Sequence, residues 1–130
     1  MDIAVRYFSR SGNTKSVAEA IAKTAGTQAV SVDRENAALT EPVDVLFIGG
    51  ALYAYGIDSR LKEYLKTLKK EDAKRAVVFS TSWISKHAVE LIKKGLAEAG
   101  IPVAEEAFYV RNRPNDEQLN DAEAFARKFM

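Results

Sequence analysis

The chain contains no cysteine and only one histidine, His87. The lack of cysteine excludes disulfides, thiolate nucleophiles, cysteine-bound iron–sulfur clusters and cysteine-type zinc sites. A single histidine argues against a multi-histidine metal centre and against a serine–histidine hydrolase. Most of the common catalytic and metal-binding chemistries are therefore removed before any motif is considered.

Long apolar runs and a surplus of one charge are also missing. No apolar run approaches the roughly 20 residues that a membrane span needs, and the first residues do not form the pattern of a signal peptide. Lysine and arginine total 19 against 18 aspartate and glutamate, a formal net charge of +1. Such a balance gives no attraction to nucleic acid or to an acidic membrane. We therefore expect a cytoplasmic protein that binds neither.

The chain does have enough apolar sequence for one core. Its 130 residues are 47% hydrophobic and 28% charged, which is typical of a globular domain. Internal repeats, low-complexity tracts and linkers are absent from the sequence. We expect a single domain over residues 1–130.

Apolar runs alternate with helical patterns. The runs that predict strands lie at residues 3–8, 28–33, 43–48, 76–79 and 103–110. Helical spacing of apolar residues begins near Asn13, Asp58, Ser85 and Asp116. This alternation predicts a parallel sheet with helices on both faces, and the more apolar first, third and fourth strands should be central. Arg6 interrupts the first run, and we expect its charged head to reach solvent.

The most informative segment joins the first strand to the first helix. Ser9, Ser11 and Thr14 supply hydroxyl groups there, Asn13 supplies an amide, and Gly12 lets a ligand approach the backbone. A helix N-terminus also offers unpaired amides and a positive dipole end, which favour phosphate. The alternative is that a serine or asparagine only caps the helix while the glycine makes the turn.

Several related phosphate sites are excluded. The first strand is not followed by G-x-G-x-x-G, and G-x-x-x-x-G-K-[ST] is absent from the sequence. A receiver domain requires acidic residues at the ends of the first and third predicted strands, and a low-molecular-weight tyrosine phosphatase requires a cysteine.

The segment Ser9-Arg10-Ser11-Gly12-Asn13-Thr14 resembles the phosphate-binding loop of the flavodoxin family. The length and the order of elements are also similar to those of a short-chain flavodoxin. The resemblance implies an α/β three-layer sandwich with a five-stranded parallel sheet in order 2-1-3-4-5, non-covalent FMN, and electron transfer. Arg10 could pair with the phosphate or point to solvent, and we favour solvent because backbone amides can suffice.

The resemblance also places the flavin ring on the loops after the third and fourth strands. The residues that it implies there are Ala51, Leu52, Tyr53, Ala54, Tyr55 and Gly56, with Thr81, Ser82 and Trp83. Together with residues 9–14 they are the predicted FMN-binding set. Tyr53, Tyr55 and Trp83 are the candidates for stacking on the ring, although one or two of them could simply pack the loops. No catalytic residue or metal ligand is expected, because the protein would tune the cofactor.

The leading functional prediction is a monomeric electron carrier. Its partners would be a flavin or iron–sulfur reductase and an acceptor protein. The near-neutral charge departs from the acidic flavodoxin carriers, so an acidic docking surface is not predicted. The alternative is a small NAD(P)H-dependent quinone or flavin oxidoreductase, or a protoporphyrinogen-oxidase-like flavoprotein. A third possibility is a flavin-free interaction module that has kept the fold.

A basic segment, Arg111-Asn112-Arg113, follows the fifth predicted strand at the same end of the sheet as the flavin loops. It could bind the phosphate of a nicotinamide cofactor or a carboxylate of a partner. A plain polar loop is the favoured interpretation of the sequence.

Overall fold

Strands and helices alternate in the computed structural model, which describes residues 1–53, 56–82 and 85–130. The strands are β1 (Ile3–Tyr7), β2 (Ala29–Ser31), β3 (Val43–Gly50), β4 (Ala73–Ser82) and β5 (Val103–Arg111). The helices are α1 (Asn13–Ala25), α2 (Ser59–Thr67), α3 (His87–Glu98) and α4 (Asp116–Arg127). A single 3₁₀ turn, Glu35–Ala37, lies between β2 and β3, which leave too little chain for a longer helix.

The strands form one parallel sheet in the order β2-β1-β3-β4-β5. The predicted order and the central position of β1, β3 and β4 are therefore confirmed. Tyr7 lies beside Gly49, and Gly49 lies beside Phe79, so these strands end close together. We call this end the carboxyl edge. The chain runs from β1 to β2 on one side of the sheet and from β3 to β4 and β5 on the other. The strand order therefore reverses between β1 and β3, and such a switch point is where open α/β sheets bind ligands.

Each face of the sheet has its own apolar core, which confirms helices on both sides. Helices α1 and α4 cover one face, through residues that include Val17, Ile21 and Phe125. Helices α2 and α3 cover the other face, through residues that include Leu61, Leu65, Ile92 and Leu96. On the first face, the ring of Phe129, just after α4, packs edge-on against Phe47 with ring centroids 6.3 Å apart.

The helices begin in different ways. The Asp58 side chain accepts a hydrogen bond from the Arg60 amide at the start of α2, and Asn115 forms a capping box at the start of α4. Helix α3 begins at His87 rather than at Ser85, whose hydroxyl accepts from the His87 amide. Helix α1 follows Gly12, which has no side chain to cap it, and has no acidic residue in its first turn.

Several details differ from the sequence predictions. Strand β2 is shorter than the predicted run of residues 28–33. Strand β4 is longer than its apolar run, because Ala73 and Arg75 at its start and Ser80 to Ser82 at its end also pair in the sheet. Arg6 does not send its head to solvent: its Nε donates to the Ala37 carbonyl at 2.7 Å, so the connection to β3 covers it. In the part of the chain described, no helix has the length and apolar character to cross a membrane.

Candidate functional site

The loop between β1 and α1 folds on its own hydroxyl groups. The Ser9 hydroxyl accepts from the Gly12 amide at 2.9 Å, and the Ser11 hydroxyl accepts from the Asn13 amide at 3.4 Å. Gly12 has a φ of 93°, in the left-handed region that favours glycine. A Cβ atom added there would meet nothing within 4 Å, so the space above the glycine is open. The loop therefore places two hydroxyl groups beside an open backbone position.

The first turn of α1 is suited to an anion. The first amides of any helix lack carbonyl partners within it, and the helix dipole places partial positive charge at that end. In α2 and α4 a capping side chain satisfies part of this demand, whereas Gly12 supplies none to α1. The residues of this loop therefore fit a phosphate group held by backbone amides and hydroxyls.

Thr14 ties the loop to the end of β4. Its hydroxyl oxygen lies 2.6 Å from that of Thr81, and both residues are 1% exposed. Each hydroxyl would lose its partner in the pair if the other residue were made apolar. The pair fixes α1 against the end of β4, beneath the candidate site.

Replacing Thr14 with valine should therefore cost about 1–2 kcal/mol of unfolding free energy, because the buried Thr81 hydroxyl loses its partner. The double variant Thr14→Val/Thr81→Val should lose less than the sum of the two single variants, since neither hydroxyl is then stranded. Urea unfolding of the four proteins measures the coupling. Additive losses would show that the two hydroxyls do not interact.

The loop after β3 is tied to β4 as well. The Leu52 amide donates to the Ser82 hydroxyl at 2.9 Å. Tyr53 and Gly56 exchange two backbone hydrogen bonds, of 2.8 and 3.1 Å. Gly56 has a φ of 119°, which a residue with a side chain rarely adopts. This loop therefore depends on glycine for its shape.

Arg10 joins the first loop to the loop after β3. Its guanidinium lies 3.8 Å from the centre of the Tyr53 ring and donates to Asp58 at 2.8 Å, while its backbone amide donates to the Tyr53 hydroxyl at 3.3 Å. The sequence predicted that the Arg10 side chain would contact either a phosphate or solvent, and its ion pair with Asp58 was not predicted. The Arg10 side chain remains 53% exposed.

Asp58 is the centre of this arrangement. It is 3% exposed and accepts from the Arg60 amide and from the side chains of Arg10 and Arg60. Burial acts to raise the pKa of its carboxyl, but the hydrogen bonds from both arginines outweigh that effect and hold the pKa below its ordinary value. Burial raises the pKa of Tyr53, so its hydroxyl stays protonated at neutral pH.

The loop after β5 is also fastened to the end of β4. The Ser82 carbonyl accepts from the Tyr109 hydroxyl at 2.8 Å and from the Asn112 amide at 3.1 Å. Asn112 has a φ of 63°, so the chain turns sharply between Arg111 and Arg113. Ser82 therefore holds two loops beside the carboxyl edge.

The structure brings most of the predicted residues together at this edge. The described members of the predicted set lie on two loops, the first turn of α1 and the end of β4, which the contacts above join: residues 9–14, Ala51, Leu52, Tyr53, Gly56, Thr81 and Ser82. Ala54, Tyr55 and Trp83 lie outside the described residues, so the choice of stacking aromatic is open. Sequence reasoning treated Asp58 only as a helix cap and missed its pairing with Arg10. Tyr109 was missed because a tyrosine within a strand pattern carries no sign of a loop contact.

A family comparison agrees with the fold. The model of the flavodoxin domain matches residues 4–120, which is most of the chain. The chain belongs to the flavodoxin domain family. Members of this family bind flavin, typically FMN, and transfer electrons to redox partners.

Solved flavodoxins share the whole architecture. An archaeal flavodoxin is 23% identical with a TM-score of 0.78, and the alignment covers 99% of this chain and 96% of that one. Flavodoxin 1 from Bacillus cereus is 21% identical with a TM-score of 0.82, over 99% and 97% of the two chains. A flavodiiron core from Synechocystis has a TM-score of 0.82 at 19% identity, but only 35% of that chain is covered. No match was found among the curated proteins. At these identities the likeness establishes the flavodoxin fold.

Proposed function

We propose that this flavodoxin domain binds FMN at the carboxyl edge of its sheet and carries electrons between redox proteins. The observation that carries the proposal is the start of α1, where the N-cap residue Gly12 supplies no capping side chain and open space lies beside a hydroxyl-lined loop. That combination suits a phosphate dianion without a lysine. The proposal extends to a single domain over residues 1–130 that acts as a monomer.

The phosphate would be held by amides of the first turn of α1 and by the hydroxyls of Ser9 and Ser11. The ring would lie between the loop after β3, which contains Leu52, Tyr53 and Gly56, and the end of β4. Trp83 and Tyr55 remain candidates for stacking on it. When bound, FMN supplies the reversible uptake of electrons, which no protein side chain of this loop provides.

The protein's own contribution is to bind, orient and shield. Arg10 covers one face of the Tyr53 ring at 3.8 Å, and the proposal places the aromatic ligand against the other face. The Tyr53 hydroxyl accepts from the Arg10 amide, so the ring is held from both its face and its tip. Leu52 is fixed by Ser82, which sets the distance between the two loops that would enclose the ring.

The decisive test is reconstitution of the apoprotein with FMN. Micromolar affinity, flavin absorbance bands and reduction in two separate one-electron stages would support an electron carrier. Failure to bind FMN at micromolar concentration would refute the proposal. Rapid reduction of the bound flavin by NADPH, with turnover of a quinone, would favour the oxidoreductase alternative instead.

The phosphate assignment predicts a selective effect of Ser11→Val. We expect the affinity for FMN to fall about tenfold, while the affinity for riboflavin, which lacks the phosphate, stays within about twofold. Fluorescence titration of both ligands measures the two values. Ser16→Ala is the matched control, because the Ser16 hydroxyl already donates to the Gly12 carbonyl within the helix. Equal losses of both ligands in Ser11→Val would contradict the assignment.

A further inference from the structure

The charge of the chain is unevenly distributed. The segments that follow β1, β3, β4 and β5 along the chain, residues 8–12, 51–58, 83–86 and 111–115, contain Arg10, Lys86, Arg111 and Arg113, with Asp58 as their one carboxylate. They carry a formal charge of +3, whereas the whole chain carries +1, so the remainder is negative. A nearly neutral protein therefore has a positive end, and that end is the candidate cofactor site.

The carboxylate does not cancel this charge at the surface. Asp58 is 3% exposed, so its carboxylate is buried beneath the two arginines with which it forms ion pairs. Their side chains remain 53% and 56% exposed, Arg10 from the first loop and Arg60 from the first turn of α2. The guanidinium of Arg60 also lies 4.4 Å from the centre of the Phe8 ring, which fixes its position.

The opposite side of the edge is positive too, and its backbone is well fixed. Asn112 is held by the Ser82 carbonyl in a left-handed conformation, and Asn115 caps α4 two residues after Arg113. Lys86 lies 5.7 Å from the centre of the Tyr109 ring, and the Tyr109 hydroxyl donates to the same Ser82 carbonyl. Lys86, Arg111 and Arg113 are exposed.

We propose that these five cations, Arg10, Arg60, Lys86, Arg111 and Arg113, form a basic rim that docks an acidic electron-transfer protein onto the carboxyl edge. The inference rests on the proposed function, because it takes this edge to be the one that exchanges electrons. The occupant is identified by charge complementarity: a partner with a negative patch around its own redox centre is steered to the rim and oriented there. When bound, FMN would accept one electron from the reduced centre of such a partner.

Binding and electron transfer with two probe proteins of opposite charge test the rim. An acidic plant-type [2Fe–2S] ferredoxin should bind the FMN-loaded protein in calorimetry at about 20 mM ionic strength and lose affinity at least tenfold at about 300 mM. Its rate of electron transfer to the bound flavin should fall in parallel. Basic cytochrome c should show no measurable binding under the same conditions.

The matched variants place the same charge change at opposite edges. Lys86→Glu/Arg113→Glu alters the rim, and Lys69→Glu/Lys70→Glu alters the turn before β4 at the other edge, so both proteins have the same net charge. We expect ferredoxin affinity at low salt to fall at least tenfold in the first and less than threefold in the second. FMN affinity, measured separately, should be unchanged in both.

Several results would overturn the rim. Equal losses in the two variants would mean that only net charge matters, and preferential binding of cytochrome c would reverse the inferred sign. Rapid flavin reduction by NADPH that the rim variant abolishes would assign the cations to a nucleotide. If the protein fails to bind FMN, the proposed function fails on its own evidence, while ferredoxin calorimetry with the unloaded protein still reports on the rim.

Discussion

Replacing Gly49 with alanine is expected to lower the free energy of unfolding by about 3 kcal/mol or more. A Cβ atom at this position would lie 2.2 Å from Cε2 and 2.3 Å from Cδ2 of Phe79. Gly49 and Phe79 are neighbours on paired strands, and Phe79 is fully buried, so neither the backbone nor the ring can move aside cheaply. Urea unfolding followed by circular dichroism measures the loss.

Two further variants show whether the clash is the cause. Gly50→Ala should cost less, because its Cβ would meet Cδ2 of Leu61 at 2.4 Å, the far end of a flexible side chain. Adding Phe79→Leu to Gly49→Ala should recover part of the stability, since the ring atoms in question are removed. A Gly49→Ala protein within about 0.5 kcal/mol of the wild type would contradict this account of the strand.

Replacing Asp58 with alanine is expected to cost about 2 kcal/mol at neutral pH, roughly half of it from the lost helix cap. The rest comes from two arginines that lose their shared carboxylate, and water screens that part because both side chains are half exposed. Asp58→Asn is the matched control: it retains an acceptor for the Arg60 amide but not the charge, so it should lose about 1 kcal/mol. Urea unfolding of the three proteins measures both losses.

The difference in unfolding free energy between the wild type and Asp58→Asn should depend on pH, and the lowered pKa of Asp58 fixes the sign of that dependence. The pKa of Asp58 is lowered in the folded state, so its charge stabilises the fold above the ordinary carboxyl pKa. The difference in unfolding free energy between wild type and Asp58→Asn should be constant from pH 7 to about 5. It should shrink below about pH 4, where the Asp58 carboxyl of the unfolded chain takes up a proton while that of the folded protein, with its lowered pKa, is still charged. A difference that grows in acid would rule out the ion pairs as its source.

The sheet was predictable because its strands are nearly continuous apolar runs. Residues 45–48 are buried on both faces, so they carried a strong signal, and the order of elements left few ways to connect them. The ends were less predictable for a physical reason. Ser80, Thr81 and Ser82 look like a loop in sequence, but they pair with β3 and β5 and extend β4.

The candidate site was predictable only where its signal is local. The hydroxyl-rich loop and the Asp58 cap each lie within a few adjacent residues. Arg10 and Asp58 lie 48 positions apart in the sequence, and the residues around each of them do not indicate that the two form an ion pair. The prediction that the Arg6 head reaches solvent was wrong for the same reason, because the Ala37 carbonyl to which it donates belongs to a turn that is distant in the sequence. Side-chain partners across the fold are set by the tertiary structure, not by the spacing of residues.

The pairing of α1 with α4 on one face of the sheet has a consequence for synthesis of the chain. Helix α1 is made first of the four helices and α4 last, although they share one core with Phe47 and Phe129. The other face is covered by α2 and α3, which are consecutive along the chain. On the ribosome, that second face can close once α3 has emerged. The part of the first face that α4 and Phe129 cover stays exposed until α4 arrives, and it is the surface that a nascent-chain chaperone would meet.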